Sequence, residues 1–363
     1  KEQAEALWRG LNTSREAGDV MKYKVGVIGL GSIAAMYGKP DDPRPYCHVG
    51  GIRLNERVQL EAVCDLSEEA RSSFLATWGE SFPDLACYGS MDELFGNHDL
   101  DIVAVCVRGP HHFAVTSEVI EQAPKAIFLE KPPSCSLKEM DDMMEAAGRK
   151  RIPIMVDYSR HWSPKVLRMQ ELVANGLIGE VKTIVAWCGG TFLSFASHTT
   201  DLICQFAGYC PTEVTAHGRL PENANVPDGF EPEPSLDNMV IQFENGITGI
   251  QVGSSGQFGT FYCEAYGDEG FIRTGIYTEV YGSNAKGEAM DLDELQIPEE
   301  ESVFKVAYEQ MASHLDGGPL PHCTNQDFIT VNEIGFAGIE SVHSGTTIRL
   351  PNSNRTRKVF ANG

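Results

Sequence analysis

Basic residues are scarce in this chain. Lys and Arg total 29 against 51 Asp and Glu among 363 residues, which gives a formal net charge of −22. A field of that sign repels nucleic acid and anionic membranes, although it is compatible with a local basic pocket for a phosphate. We therefore expect a small neutral molecule as the partner, with no nucleic acid and no membrane, and a mild bias against sugar phosphates.

Long apolar runs and paired cysteines are also missing. No run is long enough to cross a bilayer, and the charged residues within 1–20 leave no apolar region of a signal peptide. The ten cysteines include no CxxC pair, which disfavours a zinc site or a disulfide framework. We expect buried thiols in a reducing, cytoplasmic compartment, no metal, and a short helix from Ala4 to Leu11 in an N-terminal extension.

A glycine turn follows the first apolar run. The β-branched run 25–28 breaks at Gly29-Leu30-Gly31 and resumes in small and apolar residues up to Ala34. This GxGxxA pattern is typical of a dinucleotide-binding turn, in which Gly29 permits the bend and Gly31 lets a pyrophosphate approach the backbone. A plain strand-turn-helix has the same pattern. The residues expected beside the pyrophosphate are Gly29, Gly31, Ser32 and Ile33.

Apolar runs then alternate with helical periodicity, which predicts a doubly wound α/β domain. Polar residues follow the ends of the predicted strands, where such domains bind ligands. Asp65 follows the run 58–64, and a carboxylate there favours NAD over NADP because it repels a 2′-phosphate. The proline-rich segment 36–47 is either a tolerated surface insertion or a lid. The other residues at strand ends are Arg108, His111, Glu130 and Lys131.

The second half differs from the first, because its apolar runs are short and separated by turn residues. Asn245-Gly246 is a strong hairpin signal, and amphipathic periodicity predicts helices over 303–315 and 327–344. We expect an α+β domain with a large, mostly antiparallel open sheet. The predicted domains are the extension 1–20, a Rossmann domain 21–148 and a second domain 149–363. The predicted strands of the second half are 181–187, 213–219, 238–243, 247–253, 260–266 and 276–281.

Glu130-Lys131-Pro132 after a late strand, together with the glycine turn and Asp65, resembles the family of glucose-fructose oxidoreductase, inositol dehydrogenase and rhizopine-catabolism protein (Gfo/Idh/MocA). The segments 158–164 and 177–180 continue the likeness, which covers most of residues 21–352. The resemblance implies a second-domain sheet with substrate on one face and subunit contacts on the other. We therefore expect a homo-oligomer, a dimer or a tetramer.

The resemblance also implies catalytic residues. His198 and Asp201 match the family's His-x-x-Asp pattern, whereas Ser194 stands where the family commonly has an aspartate. A positioned imidazole suits proton transfer near neutral pH, and the Lys131 ammonium can stabilise a developing alkoxide. The alternative is Lys131 as the base with a depressed pKa. Because Ser194 carries no charge, we expect Asp201 to set the basicity of His198.

The resemblance implies an NAD(H)-dependent oxidoreductase that transfers a hydride between nicotinamide and a secondary hydroxyl or ketone of a sugar, cyclitol or related polyol. Two alternatives are an NAD-dependent glycosidase that oxidises the sugar transiently, and a non-catalytic NAD or sugar sensor. We expect Trp162 to line the cleft, with core packing as the alternative, and His161 to lie at the domain interface and not to bind a metal. The predicted catalytic residues are Lys131, His198 and Asp201. The predicted cofactor contacts are Gly29, Gly31, Ser32, Ile33, Asp65, Arg108, His111, Glu130 and Lys131. The predicted substrate contacts are Lys131, Tyr158, Arg160, Ser194 and His198.

Overall fold

A computed structural model of the chain describes residues 22–222, 224–253 and 261–362. The predicted extension 1–20, with its helix from Ala4 to Leu11, lies outside these residues. None of the described helices is long and apolar enough to cross a bilayer.

The first half forms a six-stranded sheet in the order β3-β2-β1-β4-β5-β6. All of its strands pair in parallel, which confirms the predicted doubly wound domain. The central strands are fully buried, as near-continuous apolar runs require. The strands are β1 (Tyr23–Ile28), β2 (Val58–Cys64), β3 (Ala86–Tyr88), β4 (Ile102–Val105), β5 (Ala126–Leu129) and β6 (Ile154–Val156).

Serine side chains begin three of the five helices in this half. Ser67, Ser90 and Ser136 each accept a hydrogen bond from the backbone N–H three residues later, which satisfies an otherwise unpaired donor of the first turn. At Ser90 and Ser136 the donor is the N–H of a glutamate, as in the sequence pattern of a capping box. The helices are α1 (His48–Leu54), α2 (Glu68–Trp78), α3 (Met91–Asn97), α4 (His112–Glu121) and α5 (Leu137–Lys150).

The helix expected directly after the glycine turn is short and wide. Ser32–Met36 forms a π-helical turn in which the Tyr37 N–H donates to the Ser32 carbonyl. The indole of buried Trp78 donates to the Ala35 carbonyl at 3.0 Å, which holds the turn against α2. The segment 37–47 follows this turn. Its Tyr46 hydroxyl lies 2.7 Å from Ser159 Oγ, so the segment packs against the residues that follow β6.

The second half forms an eight-stranded sheet in the order β14-β13-β12-β7-β11-β10-β8-β15. Only its pairing of β7 with β11 is parallel among the described strands, so the predicted mostly antiparallel sheet is confirmed. Asn245-Gly246 turns β10 into β11, as predicted. The strands are β7 (Val181–Trp187), β8 (Pro211–Arg219), β10 (Ser235–Phe243), β11 (Thr248–Val252), β12 (Tyr262–Gly267), β13 (Gly270–Gly275), β14 (Thr278–Asn284) and β15 (Ile348–Arg349).

The strand predicted over 276–281 corresponds to β14 but begins two residues later, because Ile276 and Tyr277 form the turn of a hairpin between β13 and β14. The strand β13 was not predicted. Glycines at both ends of β13 lower its intrinsic strand propensity, and pairing with β12 and β14 overrides that preference.

The helices of this half are α6 (Pro164–Ala174), α7 (Ser197–Ala207), α8 (Leu292–Leu295), α9 (Val303–Leu315) and α10 (Gln326–Ser344). After β15, the segment 352–362, here called the strap, runs back over α5. Its β16 (Val359–Phe360) pairs in parallel with β9 (Glu231–Pro232). The strap therefore connects the segment before β10 to the first half of the chain.

The ten cysteines are all free, and eight of them are buried. This agrees with the prediction of buried thiols. The predicted domain boundaries stay predictions, although the parallel sheet takes β6 from beyond residue 148.

Candidate active site

The glycine turn brings the ends of three strands together. Gly29 has φ +89°, and a Cβ on it would lie 2.7 Å from the Cys106 carbonyl group that follows β4. Gly31, in contrast, is exposed, and a Cβ there would meet no atom within 4 Å. The Leu30 N–H donates to Asp65 Oδ2 at 2.8 Å, so the turn is fixed to the end of β2. An open backbone beside a carboxylate fits a dinucleotide.

Asp65 is half-buried and held from two directions. Its Oδ1 accepts from the Ser67 N–H at 2.8 Å, and its carbonyl accepts from Arg71 Nη1 at 2.5 Å. The carboxylate is therefore fixed in position at the carboxyl end of β2. Of the other predicted cofactor contacts, Arg108 and His111 are exposed on the loop after β4.

His112, which was not predicted as a site residue, connects two strand-end loops. Its Nδ1 lies 2.6 Å from the Pro132 carbonyl and its Nε2 lies 2.7 Å from the Val107 carbonyl. The ring is buried, and burial lowers its pKa to about 4 although both carbonyls favour the charged form. The sequence signal was a second histidine at the first position of a helix. His112 thereby fixes the loop that carries Lys131.

The side chain of Lys131 extends from this loop to the second half of the chain. Its Nζ donates to the Ser194 carbonyl at 2.9 Å and lies 5.9 Å from the centroid of the Phe195 ring. Burial lowers the pKa of Lys131, and the carboxylates of Glu130, Asp157 and Glu233 oppose that effect. The ammonium therefore lies between acidic groups from both halves of the chain.

Two carboxyl groups, Glu130 and Asp157, lie behind Lys131 and are called the acid pair here. Glu130 is buried, and its Oε1 lies 3.0 Å from Nε2 of the buried His48, whose Nδ1 lies 2.9 Å from the Tyr308 hydroxyl. Burial and the neighbouring Glu130 raise the pKa of Asp157 far above its usual range. This shift favours the protonated form of Asp157, which can donate a hydrogen bond to Glu130. The cofactor role of Glu130 stays a prediction.

His198, Tyr158 and Arg160 lie near Lys131. His198 lies edge-on to the rings of Tyr158 and Phe261, with centroids 6.2 Å and 5.5 Å away. Burial lowers the pKa of His198 well below its usual range, and the cations Arg160 and Lys131 lower it further. Its buried Nδ1 has no hydrogen-bond partner among the described residues. The Arg160 guanidinium is buried, donates to Ser159 Oγ at 3.1 Å and lies 4.8 Å from the Phe261 ring centroid.

Asp201 does not hydrogen-bond to His198, contrary to the expectation that it sets the basicity of this histidine. Its Oδ1 lies 2.7 Å from His161 Nε2, and its Oδ2 accepts from Gln205 Nε2 at 2.6 Å. Burial alone would lower the pKa of His161, but the charge and hydrogen bond of Asp201 raise it. Asp201 thus forms a buried ion pair that joins α7 to the segment before α6. Its predicted catalytic role has no support in this arrangement.

Trp162 lies in the core. It is fully buried and packs edge-on against Phe128, with ring centroids 5.4 Å apart. The expectation that Trp162 lines the cleft was therefore wrong, and the alternative of core packing holds. Within the part of the chain that the structure describes, two buried groups could each offer three metal ligands: His161 with Asp201 and Cys323, and His48 with the acid pair. In both groups a histidine nitrogen already lies within 3.0 Å of a carboxylate oxygen.

Glu233 is a site residue that sequence reasoning missed. Its Oε2 accepts from Ser194 Oγ at 2.6 Å, and its Oε1 accepts from the backbone N–H groups of Ser194 at 2.9 Å and Leu193 at 2.5 Å. The prolines and acidic residues of the segment 221–234 predict an exposed loop. That prediction is wrong at the carboxyl end of the segment, because Glu233 enters the site. No signal in the local pattern separates Glu233 from the other acids of the segment.

The parallel sheet, the mostly antiparallel sheet and the residues around Lys131 are the features of a two-domain oxidoreductase. Residues 23–158 match the model of an oxidoreductase family described as an NAD-binding Rossmann fold, and residues 182–350 match its C-terminal alpha/beta domain. The chain belongs to the Gfo/Idh/MocA oxidoreductase family.

Among curated proteins, the chain is similar to the scyllo-inositol 2-dehydrogenase (NAD(+)) of Bacillus subtilis. The two are 24% identical over 280 residues, which is 71% of this chain and 80% of that protein. An uncharacterized oxidoreductase of the same organism, YrbE, is 26% identical over 241 residues, or 62% of this chain. The chain spans 65% of the length of YrbE.

Among solved structures, the chain resembles the aldose-aldose oxidoreductase of Caulobacter crescentus, which was crystallised with glycerol. The TM-score is 0.73 at 18% identity, and the alignment covers 91% of this chain and all of the other. At this identity the likeness supports the fold.

Proposed function

We propose that the protein is an NAD(H)-dependent oxidoreductase that acts on a secondary hydroxyl, or the corresponding ketone, of a sugar, cyclitol or related polyol. The observation that carries the proposal is the Lys131 ammonium, which follows β5 and is held by the Ser194 carbonyl beside His198. The inositol dehydrogenase among the relatives supports a polyol substrate.

Lys131 would donate a hydrogen bond to the reacting oxygen. In oxidation the ammonium stabilises the developing alkoxide, and in reduction it polarises the carbonyl. Nicotinamide, when bound, supplies the acceptor or donor of the hydride. Lys131 needs its proton for this role. Burial lowers the pKa of Lys131, and the nearby acidic groups oppose that effect and favour the charged form.

His198 would accept the hydroxyl proton in oxidation. Burial and the cations Arg160 and Lys131 keep the imidazole neutral at neutral pH, so that a ring nitrogen is free to take a proton. Tyr158 and Arg160 would bind the substrate beside it. The unpaired Nδ1 of His198 supports this role, because a buried ring nitrogen usually has a partner.

Asp65 would favour NAD over NADP. Its fixed carboxylate follows β2, where it can accept hydrogen bonds from ribose hydroxyls and repel a 2′-phosphate. Gly29, Gly31, Ser32 and Ile33 would border the pyrophosphate, with Arg108, His111 and Glu130 nearer the nicotinamide.

The test is reduction of NAD, with NADP in parallel, by the wild type and Lys131→Met across inositols, aldoses, anhydrosugars and sugar acids. We expect turnover of a polyol with NAD that falls by about 10³-fold in Lys131→Met. Titration of NAD into both proteins should give similar affinity, which separates chemistry from binding. Equal turnover by the two proteins would contradict the proposal. No reduction of NAD or NADP with any of these substrates, together with cleavage of aryl glycosides at catalytic amounts of NAD, would favour the NAD-dependent glycosidase.

A further inference from the structure

We propose that Glu233 is a positioning residue of this active site: its carboxylate fixes the turn at Ser194 and completes the charges around Lys131. The inference rests on the proposed function and adds to it a residue from the segment before β10. The acids that act on Lys131 among the described residues include the acid pair and Glu233, and the inference concerns Glu233.

The hydrogen bonds of Glu233 all go to the turn that holds Lys131. Leu193 and Ser194 lie in the π-helical turn Phe192–Ala196, which immediately precedes α7 and His198. The carboxylate accepts three donors of this turn, and the Ser194 carbonyl accepts from Lys131 Nζ at 2.9 Å. Glu233 therefore fixes the peptide whose oxygen orients the ammonium.

The segment that carries Glu233 is itself held in place. Glu231, two residues earlier, donates its N–H to the Lys358 carbonyl of the strap at 2.8 Å, and its carboxylate is bound by Arg357. The Val359 N–H donates to the Cys135 carbonyl near α5 at 2.8 Å, and Phe360 lies edge-on to Phe230 at 5.6 Å. The strap thus joins Glu233 to the loop after β5.

Glu233 is part of the charge environment of Lys131. Acids act on Lys131 from the acid pair and from Glu233, and Arg160 adds a second cation. Burial and the neighbouring Glu130 raise the pKa of Asp157, which favours its neutral form, and burial lowers the pKa of His198, which favours the neutral imidazole. Removal of the Glu233 carboxylate takes away one of the acids that oppose the effect of burial on Lys131, which disfavours the charged form of Lys131.

The first experiment measures the pH dependence of kcat and kcat/KM for the wild type, Glu233→Gln and the matched control Glu222→Gln, whose exposed side chain lies in the same segment. We expect Glu233→Gln to lower kcat by about tenfold, the loss that corresponds to one charged hydrogen bond, with little change in KM. The alkaline limb of the profile should move to lower pH, because Lys131 loses its proton more easily. Glu222→Gln should match the wild type.

A double variant tests the position of the charge. Ser194 Oγ lies 2.6 Å from Glu233 Oε2, so Ser194→Asp in the Glu233→Gln background returns a carboxylate to nearly the same place. We expect this variant to regain most of the lost kcat and to restore the alkaline limb. Should Glu233→Gln fail to fold in a thermal unfolding measurement, Glu233→Asp takes its place. Glu233→Asp keeps the carboxylate, so the alkaline limb of the pH profile should keep its position while kcat falls about threefold.

A second readout requires no turnover. The rate of acetylation of Lys131 by acetic anhydride, followed by peptide mass spectrometry across pH, reports the fraction of neutral amine. Glu233→Gln should raise this rate several-fold at neutral pH, and Glu222→Gln should not. An unchanged labelling rate together with an unchanged pH profile would overturn the inference. Altered labelling in a protein without any turnover would support the inference and contradict the proposed function.

Discussion

Lys131 lies between two acidic groups that are built differently. Behind it, Glu130 and Asp157 face each other in the core, so one of the two keeps its proton. In front of it, Glu233 accepts three hydrogen bonds from N–H and O–H donors of the turn at Ser194. Burial raises the pKa of Glu233, and these donors oppose that effect.

Both sites are buried, so the protonation state of each carboxyl group depends on its neighbouring groups more than on its burial. A neighbouring carboxylate favours the protonated form, whereas several donors favour the ionised one. Lys131 thus has a pair of carboxyl groups on one side and, on the other, a single carboxyl group that orients the turn at Ser194. The predictions below test whether the two sides differ in this way.

The largest effect is expected at His198, on the side of Glu233. Replacement by alanine removes the proposed proton acceptor, and kcat should fall by about 10³-fold. The exposed His217 on β8 is a matched control, and His217→Ala should retain wild-type turnover. Steady-state rates of NAD reduction measure both variants. A His198→Ala protein with wild-type kcat would remove the imidazole from the mechanism.

The two glycines of the dinucleotide turn should separate folding from cofactor binding. Gly29→Ala places a methyl group 2.7 Å from backbone atoms at a positive φ, which should cost about 3 kcal/mol of unfolding free energy. Gly31→Ala meets no protein atom, so stability should change by less than about 0.5 kcal/mol. Its methyl group should instead weaken NAD binding by about tenfold or more. Urea unfolding and NAD titration measure the two quantities, and equal stability losses would contradict the assignment of roles.

The buried His112 should make stability depend on pH. Its pKa falls from 6.5 to about 4 on folding, so between these values the unfolded state binds a proton that the folded state does not. The free energy of unfolding should therefore fall as the pH drops from 6.5 to about 4, by about 1.4 kcal/mol per pH unit from this residue. Above pH 6.5 His112 is neutral in both the folded and the unfolded state, so it adds no further pH dependence to the free energy of unfolding.

Other groups titrate in the same range, and a comparison of the wild type with His112→Asn removes their effect. The acid pair and His48 are present in both proteins, so the difference between the two urea-unfolding curves reports His112. We expect the variant to lose less stability on acidification. Parallel pH dependences would mean that His112 is charged in the folded protein.

The smallest effect is expected in the acid pair. Burial and the neighbouring Glu130 raise the pKa of Asp157 and so favour its neutral form. Asp157→Asn replaces that form by an amide of similar shape, and stability should change by less than about 1 kcal/mol. The alkaline limb of the pH profile should stay in place, in contrast to its displacement in Glu233→Gln. A limb that moves as far in Asp157→Asn would show that Asp157 is ionised and that the two sides are alike.

The two sides also differ in how far the sequence predicts them. Gly29, Asp65, Glu130 and Lys131 each directly follow a buried strand, so local periodicity predicts both the strand and the place of the residue. Glu233 is 39 residues from Ser194, and His161 is 40 residues from Asp201. Such partners are set by tertiary packing, and no local pattern encodes them. The missed hairpin of β13 and β14 has the same cause, since cross-strand pairing decides it.

The most direct test of the central claim is to follow the hydride itself. A polyol identified in the panel is deuterated at its reacting carbon and incubated with NAD and the protein, and the reduced nicotinamide is analysed by mass spectrometry. The account predicts one deuterium on each reduced nicotinamide, formed by the wild type about 10³-fold faster than by Lys131→Met. Reduced nicotinamide without deuterium, or deuterium transfer that does not depend on Lys131, would contradict it.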